Sequence, residues 1–129
     1  MEYYLWVILW SPGDGLAERE PLVDIRWFKS DPVDAEAEVM RLDRAVRNKA
    51  LALLKRLSQR TRSQFRIKPT YVGKIMEAKL RLPEGGLRVL FVYGKAHVWC
   101  IGAFVKRNEK EGNAELARYL HRSQVAEEL

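Results

Sequence analysis

Residues 77–107 read EAKLRLPEGGLRVLFVYGKAHVWCIGAFVKR, three apolar, strand-like segments divided by two short turns. Turn residues that cannot continue a strand force the chain back on itself, which predicts an antiparallel meander over Lys74–Leu82, Leu87–Tyr93 and His97–Lys106. PEGG and a tight Gly94-Lys95 turn join the strands. In the first strand Met76, Ala78, Leu80 and Leu82 face one way and Glu77, Lys79 and Arg81 the other, a period of two. The third is apolar on both faces from Val98 to Val105, as a central strand covered on both sides is. If PEGG closes the hairpin with Leu82 opposite Leu87, Arg81 lies across from Arg88, with Lys79 two residues back on the same face. Like charges set opposite each other destabilise a sheet, so the pattern points to an anionic partner, RNA phosphate. The plain alternative is a solvated sheet edge.

The charge distribution agrees with that reading. Between Lys55 and Arg81 there are nine Lys or Arg against the single acid Glu77, more positive charge than the whole chain's net +6. A basic block flanked by balanced sequence is the electrostatic footprint of a nucleic-acid binder. Part of the block, Lys55, Arg56 and Arg60, falls at a helix end and complements the helix dipole. Arg62, Arg66, Lys68 and Lys74 lie beyond that helix, and with Lys79 and Arg81 they are the candidate phosphate-binding residues.

A chain of 129 residues, 47% hydrophobic, suits one domain spanning residues 1–129. The single Cys100 permits no intrachain disulfide and points to a reducing compartment. His97, His121 and Cys100 are not at ligand spacing, so neither a metal nor a cofactor is expected. YYLWVILW near the start lacks a basic leader and a cleavage site, and it reads as a strand ended by Ser11-Pro12-Gly13-Asp14-Gly15. No stretch approaches the ~20 apolar residues of a membrane helix. The expectation is a soluble, cytoplasmic protein with no membrane partner.

The remaining elements give an α+β chain. Val23, Ile25 and Trp27 alternate with Asp24 and Arg26 as a second short strand, although Pro21 equally suits the start of a helical turn. Asp31-Pro32-Val33-Asp34 reads as a helix start with Asp31 as N-cap. Val39, Leu42, Val46, Ala50, Leu53, Leu54 and Leu57 then recur at helical spacing, as one long helix or a helical hairpin bent near Asp43. Asn113 is placed to cap a short closing helix that buries Leu116, Ala117 and Leu120.

With these elements in order, the chain resembles the RelE/HigB superfamily of type II toxins, including its phage-derived HigB-like members. The resemblance rests on EAKLRL where the family has an ELR-like strand end, RVLF in place of "YRVLY", FVKR in place of "FxKK/R", and ELARYLHR as the terminal helix. It covers most of residues 36–123 and is clearest over 77–107. It implies a RelE-like fold: N-terminal strand or strands, long helix or helical hairpin, three-stranded antiparallel meander and short C-terminal helix. It also implies a ribosome-dependent mRNA endonuclease whose partners are the ribosome, mRNA and a cognate antitoxin.

In such enzymes the 2′-hydroxyl attacks the adjacent phosphate, a step that needs no metal. It needs in-line geometry, a proton acceptor, and cations where charge grows on the phosphorus oxygens. The resemblance assigns Arg88, Lys106 and Arg107 to that last role and Lys79 and Arg81 to the RNA backbone. Arginine suits phosphate because its planar fork stays charged and binds in two places. Many members carry Tyr or His soon after the basic pair, whereas here the first candidates are Tyr119 and His121. His121 is favoured on chemistry because imidazole titrates near neutrality. Glu77 is a further candidate, and so is a plain ion pair between Glu77 and a neighbouring cation. The runner-up is a non-catalytic binding protein on the same fold, a phage- or plasmid-encoded regulator docking on host RNA polymerase or the ribosome.

Overall fold

The computed structural model describes residues 20–129, so the strand expected over residues 3–10 lies outside the described residues. Over the described residues the fold is α+β, built on a mixed five-stranded sheet with four helices. β1 (Ile25–Trp27) opens the sheet, and β2 (Lys29–Ser30) and β3 (Val33–Asp34) form a small separate hairpin. α1 (Ala35–Met40) and α2 (Arg44–Ser58) follow, then β4 (Lys68–Pro69), β5 (Met76–Leu82), β6 (Gly85–Tyr93) and β7 (Val98–Lys106), and finally α3 (Glu109–Arg118) and α4 (Leu120–Glu127). The strand order is β1-β7-β6-β5-β4, with β1 parallel to β7 and every other pairing antiparallel. The expected meander is β5-β6-β7, and β7 is interior, as its two apolar faces require.

Each sheet face carries its own core. On one, Val46, Ala50, Leu53 and Leu57 of α2 pack against Ala78, Leu87, Val89 and Phe91. On the other, Leu116 and Tyr119 of α3 and its cap, and Ala126 of α4, pack against Leu90, Val92, Ile101 and Phe104. A bulge in β7 opposite Leu90 and Phe91 restores this alternation, so that Phe104 and Lys106 share a face with Arg88.

Four local expectations are revised. The PEGG hairpin closes through a two-residue Pro83-Glu84 turn, which pairs Leu82 with Gly85, Leu80 with Leu87 and Lys79 with Arg88. Gly85 makes this possible. Its φ of 153° lies where side chains are rarely tolerated, and a Cβ there would stand 2.4 Å from the Lys106 carbonyl. The slip is two residues, so every side chain keeps its expected face while its partner changes.

Asp31-Pro32 forms the β2–β3 turn through a cis peptide bond instead of starting a helix. Asp34 is the cap, accepting from the Ala37 amide at 3.0 Å. Asp43 caps α2 in turn, which resolves the helical segment into the hairpin form. At the C-terminus Asn108, not Asn113, caps α3 by accepting from the Glu111 amide, and a second helix follows. This earlier start rotates the buried stripe onto Gly112, Leu116 and Tyr119, leaving Ala117 and Leu120 exposed. The β6–β7 connection spans Gly94 to His97, closed by a hydrogen bond from the Gly94 amide to the His97 carbonyl, and is longer than the tight turn expected.

Candidate nucleic-acid interface

Strand pairing alone arrays the cations. Arg88 stands between Lys79 on β5 and Phe104 on β7, and one step along the ladder Gly86 stands between Arg81 and Lys106. All of these residues face the α3 side of the sheet. Gly86 contributes no side chain, and the space is taken by the Arg88 guanidinium, whose Nε would lie 3.3 Å from a Cβ at that position. The result is a cleft of about 500 Å³ whose floor includes Glu77, Lys79, Arg88 and Phe104. One wall is α3, through Glu109, Gly112, Asn113 and Leu116; the other is Lys68, Pro69, Thr70 and Tyr71. That volume falls within the roughly 300–1,000 Å³ of small-ligand sites, a size suited to a nucleotide.

Two of the four cleft cations are held in place by acids. Arg88 donates to Glu77, and Arg88 Nε is buried with no hydrogen-bond partner among the described residues. Lys106 donates to Glu109, which is exposed and whose carboxyl is held below the usual range by that hydrogen bond. The Lys106 stem runs across α3 at Gly112, where a Cβ would meet Lys106 Cδ at 2.8 Å. Glycine in a helix interior costs about 1 kcal/mol against alanine, and here it gives the lysine a path to the cleft. Lys79 and Lys68 are exposed and make no salt bridge among the described residues.

The sequence candidates divide between sites. Lys68, Lys79, Arg88, Lys106 and Glu77 converge on the cleft. Arg81 lies beside it, in a shallow depression of the Pro83-Glu84 hairpin that Lys79 also borders. Arg107 does not join Arg88. Successive residues at the end of a strand point to opposite faces, and Arg107 lines a separate groove with Leu42, Glu111 and Glu115. His121 is exposed in the first turn of α4 and lines none of the cleft, while Lys74 pairs with Glu127 on α4 at 3.7 Å. Arg62 and Arg66 are exposed between α2 and β4.

Other side chains are structural. Tyr119 stacks on Phe104 at 6.3 Å with the Arg122 guanidinium over its ring. His97 Nδ1 sits 2.8 Å from Asp24, and the buried Cys100 thiol is pushed up to about 12 by desolvation, which leaves it unreactive. Sequence reasoning missed Tyr71, Glu109 and Gly112. The signals present were a lone aromatic in the basic stretch KPTYVGK and a glycine inside a helix.

Among the described residues no helix is long and apolar enough to cross a membrane, and no cluster of three metal-ligating side chains occurs. Comparisons of the chain with protein-family models, with curated proteins and with solved structures found no match.

Proposed function

We propose that the chain is a RelE/HigB-like toxin of a type II toxin–antitoxin pair, a ribosome-dependent mRNA endonuclease that binds its substrate in the cationic cleft. The observation that supports this reading is the opposition of Lys79 and Arg88 across β5 and β6, with Lys106 one register step away on the same face. In the proposed reaction the 2′-hydroxyl gives up its proton as its oxygen bonds to the adjacent phosphorus, the bond from phosphorus to the 5′-oxygen of the next nucleotide breaks, and that leaving oxygen takes a proton from water. The products are a 2′,3′-cyclic phosphate and a 5′-hydroxyl. Lys79, Arg88 and Lys106 are suited to the charge that grows on the non-bridging oxygens. Glu77 lines the cleft against Arg88 and is the candidate proton acceptor there. A cognate antitoxin would cover the cleft.

The second reading, a non-catalytic protein docking on the ribosome or on host RNA polymerase, draws support from the placement of Arg107 and His121 away from Arg88. Expression of the chain, with toe-printing of ribosome-bound message, separates the two. Growth arrest and cleavage that fall sharply with Lys79→Ala and Arg88→Lys, while Arg107→Ala retains both, support the cleft nuclease. Undiminished cleavage in Lys79→Ala and Arg88→Lys refutes it, and recovery of a ribosome or polymerase complex without any cleavage favours the second reading.

A further inference from the structure

Tyr71 is 100% exposed, yet the loop that carries it is firmly tied. Thr70 is fixed at both ends: its amide and its hydroxyl donate to the Ile75 carbonyl at 2.9 and 2.8 Å. The Val72 amide donates back to the Thr70 hydroxyl, and the Ile75 amide to the Val72 carbonyl. Ile75 is fully buried, Val72 packs on the α3-side core, and Gly73 completes the turn with a φ of 53°. The residues on either side of Tyr71 are therefore anchored while its ring stands in solvent, beside Pro69 and Lys68 on the rim of the cleft.

Scattered exposed apolar side chains are ordinary, but this one is an aromatic on a fixed support next to a row of cations. An aromatic face beside a cationic track is the arrangement that holds single-stranded nucleic acid, with bases stacking on the ring and phosphates following the charges. We infer that Tyr71 is a base-stacking residue that seats one unpaired nucleotide of RNA at the mouth of the cleft. The inference rests on the RNA-binding reading above and assigns Tyr71 a positioning role for a base next to the phosphate on Lys79 and Arg88. A paired base hides both faces within its own stack, so the site selects single strands.

Fluorescence anisotropy with a short labelled single-stranded oligoribonucleotide, and with an abasic ribose-phosphate oligomer of equal length, tests this at low salt. Tyr71→Ala is expected to weaken binding of the base-bearing oligomer about tenfold, the worth of one stacked base, and to leave the abasic oligomer unaffected. Tyr71→Phe is expected to bind like the parent, and the salt dependence of Tyr71→Ala to stay unchanged, since no phosphate contact is lost. Because the side chain touches nothing that folding depends on, thermal melts of Tyr71→Ala should match the parent. Equal binding of the base-bearing oligomer by Tyr71→Ala, or equal losses on both oligomers, overturns the stacking role while leaving the cationic cleft intact. A parent protein that binds neither oligomer overturns the RNA reading itself. Loss of a protein complex with unchanged RNA binding in Tyr71→Ala overturns the inference in favour of a protein-docking role.

Discussion

Arg88 and Glu77 meet diagonally across β5 and β6 as a largely buried ion pair, Nη1 to Oε2 at 2.8 Å, with side chains 12% and 10% exposed. The pair holds the guanidinium against the floor of the cleft, and truncating either partner strands the other. Glu77→Ala is expected to destabilise the fold by about 3–5 kcal/mol, the usual cost of an orphaned buried charge. Replacing both with apolar residues of similar size, Glu77→Leu with Arg88→Met, is expected to recover most of that loss. Urea unfolding of the two single variants and the double variant measures it. A Glu77→Ala midpoint equal to the parent's would show that water, not Glu77, solvates Arg88.

The strands of this cleft were readable from the sequence, but its membership was not. Alternation fixed which face Lys79, Arg81 and Arg88 occupy, and a two-residue slip leaves that face intact, so the cationic surface was legible without the register. The partner of Arg88 depended on whether PEGG turned in two residues or four, which Gly85 decides through a close approach to Lys106 invisible to local pattern. Arg107 beside Lys106 looked like one basic pair, yet adjacency along a strand end separates two side chains. β1 joining β7 in parallel is a long-range pairing with no local signature. The C-terminal helix was shifted because Asn108 and Asn113 are both competent caps, and only the packing of Tyr119 against Phe104 chooses between them.

Lys79 is exposed, makes no salt bridge among the described residues and sits directly opposite Arg88. Lys79→Ala is expected to leave the melting temperature unchanged or slightly raised, since a like-charge pair is relieved. Its binding to a single-stranded oligonucleotide is expected to fall, with the slope of log K against log salt reduced by about 0.7, one phosphate contact. Titrations at several salt concentrations give that slope directly. An unaltered slope would place the phosphate elsewhere.

Gly102 marks the bulge of β7, with a φ of 155° and an absent Cβ that would lie 2.4 Å from Tyr119 Cε1. Tyr119 has no room to retreat, because its ring is stacked on Phe104 and covered by Arg122. Gly102→Ala adds backbone strain to overpacking and is expected to cost about 2–5 kcal/mol. Gly86→Ala meets only the flexible Arg88 guanidinium at 3.3 Å, so its effect is expected mainly on ligand binding. Paired thermal melts of the two variants test this ranking, and equal destabilisation would contradict it.

Stability at high pH is governed by groups that burial keeps neutral. Desolvation raises Cys100 from 9.0 to about 12, and desolvation also raises Tyr119 above its ordinary value of 10.0. A group whose folded pKa is raised in this way leaves stability untouched below the unfolded pKa. Above it the unfolded chain ionises first, so stability falls until the folded pKa is reached. Cys100 therefore sets the onset: stability is expected to decline from about pH 9 at up to ~1.4 kcal/mol per pH unit, with Tyr119 steepening the fall from about pH 10. Cys100→Ala removes the earlier ionisation and is expected to move the onset up by about one pH unit, at the cost of a small cavity that lowers stability evenly at every pH. Urea midpoints measured from pH 7 to 11 for both proteins separate the two effects, because the cavity shifts the whole curve and the thiol changes its slope. Parallel curves across that range would mean that the thiol ionises in the folded protein at its ordinary pKa.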